Sequence, residues 1–243
     1  MEAKLDILEK LRADLRLWEG YKPLEAARAE RIGLGEIEDA FPQKVFPRKA
    51  IHEFITVEPE HAAASAGFIA GILKALLTQG GACLWISMSR TFFPPALIAF
   101  NVAPERVIFI DVKEEKEVLW VMEQALKCGG LAAVIAEVKE INIIQSRRLQ
   151  LATESSKVTG FLLRNDPKKL GSNTCAARWK ISPLPSMLED ELPGVGFPRW
   201  QVDLLRVRNG NPGSWKLEWV EDTFRPVVEK EEAVVRRITG HYA

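Results

Sequence analysis

Apolar residues along this chain follow two rhythms, and the change between them divides it. From Ile51 onward, short apolar runs (Ile51 to Ile55, Ala82 to Ser87, Arg106 to Val112, Ala132 to Val138, Val158 to Arg164) alternate with segments of helical spacing near Ala62 to Gln79, Pro95 to Phe100, Glu114 to Cys128 and Ile144 to Ser156. Runs that are apolar at nearly every position suit strands buried on both faces, so this half predicts a parallel sheet covered by helices. From Cys175 the helical spacing stops. Ala176 to Ser182, Trp200 to Val207 and Trp215 to Val220 then read as strands, with a Pro- and Gly-rich loop from Pro183 to Pro198. Strands without intervening helices predict antiparallel additions at one sheet edge. The expected fold class is α/β: a mostly parallel sheet flanked by helices, with antiparallel strands added at the C-terminal edge.

Residues 46–222 are expected to form this core, with an appendage at each end. In 1–45, Leu8, Leu11, Leu15 and Trp18 make one apolar stripe on a helix from Leu5 to Tyr21, followed by a charged linker. Such a stripe must pack on something, either its own domain or another subunit, and Trp18 suits an interface anchor. The 223–243 tail carries Glu229-Lys230-Glu231-Glu232 and Arg236-Arg237, as a solvated helix, a disordered end or a binding tail. No internal repeat is visible.

Composition narrows the function classes. The chain has 243 residues, 47% of them apolar, enough for a full core; its 33 basic and 33 acidic residues cancel, unlike a dedicated nucleic-acid binder. Its cysteines, Cys83, Cys128 and Cys175, are odd in number and lack C-x-x-C spacing, so neither a disulfide framework nor a zinc site is expected. The charged N-terminus is unlike a signal peptide, and Lys74 and Arg90 interrupt the apolar stretches, so a cytoplasmic protein without a membrane span is expected.

The most informative chemistry is missing chemistry. After the first strand, where an α/β ATPase carries its phosphate loop, the chain reads Thr-Val-Glu-Pro-Glu-His-Ala-Ala-Ala-Ser-Ala-Gly from Thr56 to Gly67. A working loop uses glycines to wrap phosphate in backbone N–H groups, a lysine to neutralise charge and a hydroxyl to hold Mg²⁺. Here there is no lysine, Glu58 and Glu60 bring negative charge, Ser65 lies in an Ala-rich stretch, and Gly67 comes too late for the wrap. Losing two charge-assisted contacts of roughly 1.5 to 3 kcal/mol each would weaken nucleotide binding about a hundredfold to more than ten-thousandfold. No cofactor is expected.

Rival chemistries fare poorly. Ala63-Ala64-Ser65-Ala66-Gly67 is a relaxed G-x-S-x-G elbow, but about ten residues separate Ser65 from Ile55 and no triad order emerges. His52-Glu53 invites a metal or acid/base reading; strand alternation turns one of them toward the core and one away, with no second ligand set near, so no metal is expected. Trp85 and Trp120 read as core, and Trp215 and Trp219 share one strand face. Ser146 can cap a helix whose first turn then holds Arg147 and Arg148, against the helix dipole, which points either to a partner's anion or to a pair with Glu137 or Glu140.

Five blocks add a resemblance: P-R-K-A-I-H-E-F (Pro47 to Phe54), R-T-F-F-P-P-A-L (Arg90 to Leu97), S-R-R-L-Q-L-A (Ser146 to Ala152), A-A-R-W-K-I (Ala176 to Ile181) and R-N-G-x-P-G-S-W (Arg208 to Trp215). In this order, across about Gly33 to Trp219, the chain resembles the ImuA family of bacterial RecA-like proteins. The resemblance implies a RecA-like core in an inducible mutagenesis cassette, working with an ImuB-type polymerase-like protein and an error-prone DNA polymerase. It points to a non-catalytic scaffold in SOS-linked translesion synthesis and DNA repair. The alternatives are a divergent ATPase using Glu137 for Mg²⁺ and Arg206 and Arg208 for the lost lysine, or a modulator that binds RecA itself.

Against the RecA plan, the strand end that carries a water-activating glutamate becomes Ser87-Met88-Ser89, with no carboxylate. The Mg²⁺-linked Asp becomes Glu137. The two DNA-gripping loops correspond to Lys139 to Ser146 and Asn165 to Thr174, both short; the second has Lys168 and Lys169 but no aromatic residue. Direct DNA contact is therefore expected to be weak or absent, and steeply salt-dependent. Arg206 and Arg208 fall where RecA has a lysine pair that reaches the neighbouring subunit's nucleotide; with Arg199 they form either a cationic edge for an acidic partner or an ordinary solvated face.

Overall fold

The computed structural model describes residues 31–165, 167, 170–186 and 196–227. Among the described residues nine strands form one sheet: β1 (Ile51–Thr56), β2 (Ala82–Ser87), β3 (Val107–Asp111), β4 (Leu131–Val138), β5 (Thr159–Asn165), β6 (Ala177–Leu184), β7 (Arg199–Val207), β8 (Gly213–Val220) and β9 (Thr223–Pro226). Their order is β3-β2-β4-β5-β1-β6-β7-β8-β9. Every pairing from β3 to β6 is parallel and every pairing from β6 to β9 is antiparallel. This is the expected α/β, RecA-like architecture, with the antiparallel strands at the C-terminal edge.

Helices cover the parallel part on both faces. On one side lies α1 (Pro59–Leu77); on the other lie α2 (Glu115–Leu126) and α3 (Ile143–Ser156). By length and composition α1 could cross a membrane, Lys74 notwithstanding, yet it is a core helix that buries Phe68, Ile69, Ile72 and Leu73. The stretch expected as a helix from Pro95 is a 3-10 helix, Pro94–Phe100, ending at Asn101 in the left-handed region (φ 54°).

Aromatic rings join the two halves of the sheet on the α1 side. Trp179 stacks on Phe54 with centroids 5.8 Å apart, and Phe68 packs against Trp200 and Phe224 at 5.9 and 5.0 Å. The strands can approach because α1 offers glycines one turn apart: a Cβ on Gly67 would lie 3.3 Å from the Phe100 ring, and one on Gly71 would lie 2.5 Å from Phe224.

The core is wider at both ends than the 46–222 span. Ile32, Leu34, Ile37, Phe41 and Phe46 join the α1-side cluster at its start. The segment is pinned by Glu38, fully buried, which accepts hydrogen bonds from the backbone N–H groups of Ile32, Gly33 and Leu34 at 3.3, 3.0 and 3.0 Å. At the other end, Phe224 belongs to β9 and to the same cluster, so the residues before the charged run are a strand and not tail.

Two expectations about single residues are corrected. Trp120 is 60% exposed and is no core residue, because Val118, Met122 and Leu126 form the inward side of α2. His52 and Glu53 are both fully buried, since β1 is covered on both faces and alternation there selects between two interiors. His52 lies flat on Phe46 at 4.3 Å, with Nε2 2.7 Å from the Pro47 carbonyl, and Nδ1 accepts from the Trp179 indole at 3.3 Å. Burial lowers its pKa from 6.5 to about 4, the Pro47 bond opposing only in part.

A histidine held neutral in the fold but free to protonate when unfolded stabilises fully above pH 6.5, and this contribution is lost as pH falls toward 4. A shift of this size is worth on the order of 3 kcal/mol. Urea unfolding between pH 7.5 and 4.5 should show a decline of that order, and the decline should shrink in a His52→Gln variant.

Candidate functional site

The slot for a phosphate loop is closed as well as chemically altered. The sequence predicts a loop running to about Ala62, but β1 ends at Thr56 and α1 begins at Pro59, leaving only Val57 and Glu58 between them. Glu58 is the N-cap residue, although its side chain makes no capping bond; Pro59 supplies no N–H, and Glu60 adds a second carboxylate in the first turn. Ser65 is buried inside the helix and Gly67 packs against Phe100 and Trp200, so neither faces this helix end. The Thr56 hydroxyl is taken up by β5, 3.0 Å from the Arg164 carbonyl and 2.6 Å from Asn165 Oδ1.

Around the neighbouring strand ends, rings and ion pairs take up the side chains. Trp85 stacks with Phe92 at 4.5 Å and donates its indole N–H to Glu137 Oε1 at 2.8 Å. Arg90 pairs with Asp111 at 2.6 Å and lies 5.4 Å over the Phe109 ring. Glu137, read from sequence as an ion-pair partner for the arginines or a Mg²⁺ ligand, is a half-buried carboxyl: burial pushes its pKa up, partly offset by the Trp85 bond. Among the described residues no group of three or more His, Cys, Asp or Glu could hold a metal ion.

On the α3 side, Glu53 is the hub of a charge network. Arg164 and Arg178 donate to its two oxygens at 2.8 and 2.6 Å, and Arg164, 1% exposed, also reaches Glu140 at 2.6 Å and the Lys139 carbonyl at 3.3 Å. Burial pushes the Glu53 carboxyl up, but hydrogen bonds from Arg178, Asn173 and Arg164 outweigh it and hold the pKa below its usual value. The same network pins the segment between β5 and β6. Arg178 donates to the Gly171 carbonyl at 2.7 Å, and Arg206 donates to the Asn173 carbonyl at 3.0 Å, to its side-chain oxygen, and to the Cys175 carbonyl at 3.2 Å.

The sequence-predicted cationic edge is thus largely spent inside the molecule. Arg206 and Arg178 are register partners across β6 and β7, turned to the Glu53 face, while Arg199 pairs with Glu218 on β8 at 2.6 Å. Arg208 alone of the three remains exposed and, among the described residues, unpaired. Leu8, Leu11, Leu15, Trp18, Lys168 and Lys169 lie outside the described residues.

The helix carrying Arg147 and Arg148 starts earlier than Ser146. Its N-cap is Asn142, in a reciprocal capping box with Gln145, so the arginines sit beyond the first turn and the dipole argument no longer applies. Ser146 is buried and accepts a hydrogen bond from the Thr174 N–H at 3.2 Å. Arg148 pairs with Glu123 on α2 at 2.5 Å, not with Glu137 or Glu140; Arg147 is exposed without a partner among the described residues.

Sequence reasoning missed what lies beside them. A groove of about 520 Å³ between α2 and α3 is lined by Trp120, Glu123, Arg148 and Leu149 among others. The available signal was on α3: Ile143, Ile144 and Leu151 cannot share one face with Leu149 and Ala152.

No protein-family model matches the chain. Over 207 residues it is 32% identical to Protein ImuA of Caulobacter vibrioides, in strains NA1000 / CB15N and ATCC 19089 / CB 15 alike, covering 80% of this chain and 85% of that protein. The chain belongs to the ImuA family. In this ImuA-family structure the five blocks are largely architectural. Pro47 to Phe54 builds β1 with His52 and Glu53, Ala176 to Ile181 brings Arg178 to Glu53, and Arg208 to Trp215 forms the turn from β7 into β8.

Removing the central member of a buried ion network costs roughly 3 to 5 kcal/mol; without the Glu53 charge Arg178 loses its carboxylate, while Arg164 keeps Glu140. Glu53→Gln should therefore lower unfolding stability by about that much in urea titration; a loss under about 1 kcal/mol, the size of a surface pair, would mean the arginines find other partners.

Proposed function

We propose that this chain is a non-catalytic RecA-like scaffold in error-prone DNA synthesis, binding an ImuB-type polymerase-like protein. The observation that carries the reading is the two-residue connection Val57-Glu58 between β1 and α1, with Pro59 at the helix start and two carboxylates there. Anion binding at a helix N-terminus relies on free N–H groups and a positive field, and both are reduced here. The role in the inducible mutagenesis cassette is the one the ImuA family membership favours, and the neutral overall charge fits a protein that meets other proteins more than DNA. The N-terminal stripe of Leu8, Leu11, Leu15 and Trp18 and the exposed Arg147 and Arg208 are proposed partner contacts.

A rebuilt ATPase site would need Arg206 and Arg208 to reach a nucleotide, and Arg206 is held by Asn173 and Cys175. Calorimetric titration of the purified chain with Mg²⁺ and ATP into the millimolar range should give no saturable heat. Saturable binding would make the catalytic reading the better one.

A further inference from the structure

The last described residue of the chain stands in the wall of a groove. Between the 3-10 helix Gly35–Ala40 and strands β8 and β9 lies a space of about 320 Å³, lined by Leu34, Ile37, Trp215, Leu217, Pro226 and Val227 among others. Leu34, Ile37 and Leu217 are buried and belong to the α1-side core, while Trp215 and Val227 are half-buried and Pro226 is exposed. The lining thus continues the core and opens to water at the sheet edge.

That edge is the one most in need of a cover. β9 is the outermost strand and four residues long, so its outer side has no ladder partner among the described residues. Proteins commonly shield such an edge with a helix or loop of their own. Val227 gives its N–H to the Lys216 carbonyl at 3.0 Å, and residues 228–243, which lie outside the described residues, follow directly from it. A segment tethered at the groove wall meets it at an effective concentration on the order of millimolar, so even weak contacts favour it over a free competitor. The other apolar stripe of the chain, Leu8 to Trp18, ends sixteen residues before Leu34 and has a longer tether.

The sequence of 228–243 matches the place. Val228, Glu231, Val235, Ile238 and Tyr242 recur at intervals of three and four residues, one helical face that is apolar except near its start. Its acids come first and Arg236 and Arg237 later, the order that suits a helix dipole. The groove offers the complement in the same order. Lys216, beside Val227, has an exposed side chain where the segment is acidic; Glu36, on the opposite wall, is exposed and makes no ion pair among the described residues. Arg236 comes nine residues after Val227, about 14 Å of helical rise, far enough to pass over the groove to that wall.

We propose that residues 228–243 fold back over this groove, with Val235 and Ile238 on its apolar lining and Arg236 beside Glu36. The C-terminal segment then completes the sheet edge of its own domain and is not a free binding arm.

Hydrogen exchange of the full chain, followed by mass spectrometry, tests this. Ile238→Asp should speed exchange in peptides covering 34–40 and 223–227 about tenfold or more, and leave those of β2 and β4 unchanged. Arg236→Glu should give a smaller increase, which Glu36→Arg in the same chain reverses. With a photoreactive benzophenone amino acid substituted at Ile238, irradiation should link that position to the groove lining of the same chain. Either unchanged exchange in Ile238→Asp or links that fall outside the groove would overturn the fold-back. Links between two chains would give the groove to a second copy, and links to it from a probe at Trp18 but not from 238 would give it to the N-terminal stripe; each overturns the proposal. All of these outcomes leave the scaffold reading standing.

Discussion

The α3 side of the sheet depends on one buried carboxylate. Glu53 sits on β1 where the parallel and antiparallel parts meet, and its two oxygens are taken by an arginine from each neighbouring strand, Arg164 on β5 and Arg178 on β6. Without the arginines the carboxylate would be an unpaired buried charge, and without it they would repel each other. The arrangement therefore fixes the junction between the two parts of the sheet. Through Asn173 it also fixes the segment leading into β6, since Arg206 holds the backbone and side chain of that residue while Asn173 itself bonds to Glu53.

This constraint bears on what the strand edge can do. An arginine pair that looks like a cationic edge in sequence is, in space, one exposed residue and one structural clamp. Arg206 could reach an outside anion only by releasing Asn173 and the Cys175 carbonyl, which would strip donors from a buried network. The closed slot after β1 has the same character. Shortening the loop to Val57 and Glu58 lets α1 start at once, and the glycines later in that helix then serve close approach to Phe100, Trp200 and Phe224. Both features exchange a solvent-facing role for packing.

The architecture was legible because parallel strands covered on both faces leave long apolar runs, and antiparallel strands with one wet face leave alternation, as in Trp179 and Ile181 against Arg178 and Lys180. Individual polar residues were harder. His52 and Glu53 look like chemistry in a string of letters, and only the register beside Phe161, Leu162, Ala177 and Arg178 shows that both are interior. Ion-pair partners join residues as far apart as Glu53 and Arg178, so local spacing carries no information about them. Trp120 was misplaced for a related reason: α2 already has an inward stripe in Val118, Met122 and Leu126, and a large aromatic residue off that stripe marks an outer surface.

These facts together say which faces of the fold its own packing already occupies. The strand ends, where ligands gather in open α/β folds, are closed here by the short β1 connection and the Trp85–Phe92 stack, and the segment entering β6 is tied to the sheet by Arg178 and Arg206. The α1 face is occupied by a core helix and the aromatic rings of the antiparallel strands. The outer side of α2 and α3 is different, because it shows water apolar groups among mixed charges, Trp120 on one helix and Ile143, Ile144 and Leu151 on the other. Trp120 and Ile144 lie off the inward stripes of their helices, so their exposure follows from helical pitch once Val118, Met122 and Leu126 on α2 and Leu149 and Ala152 on α3 face the sheet.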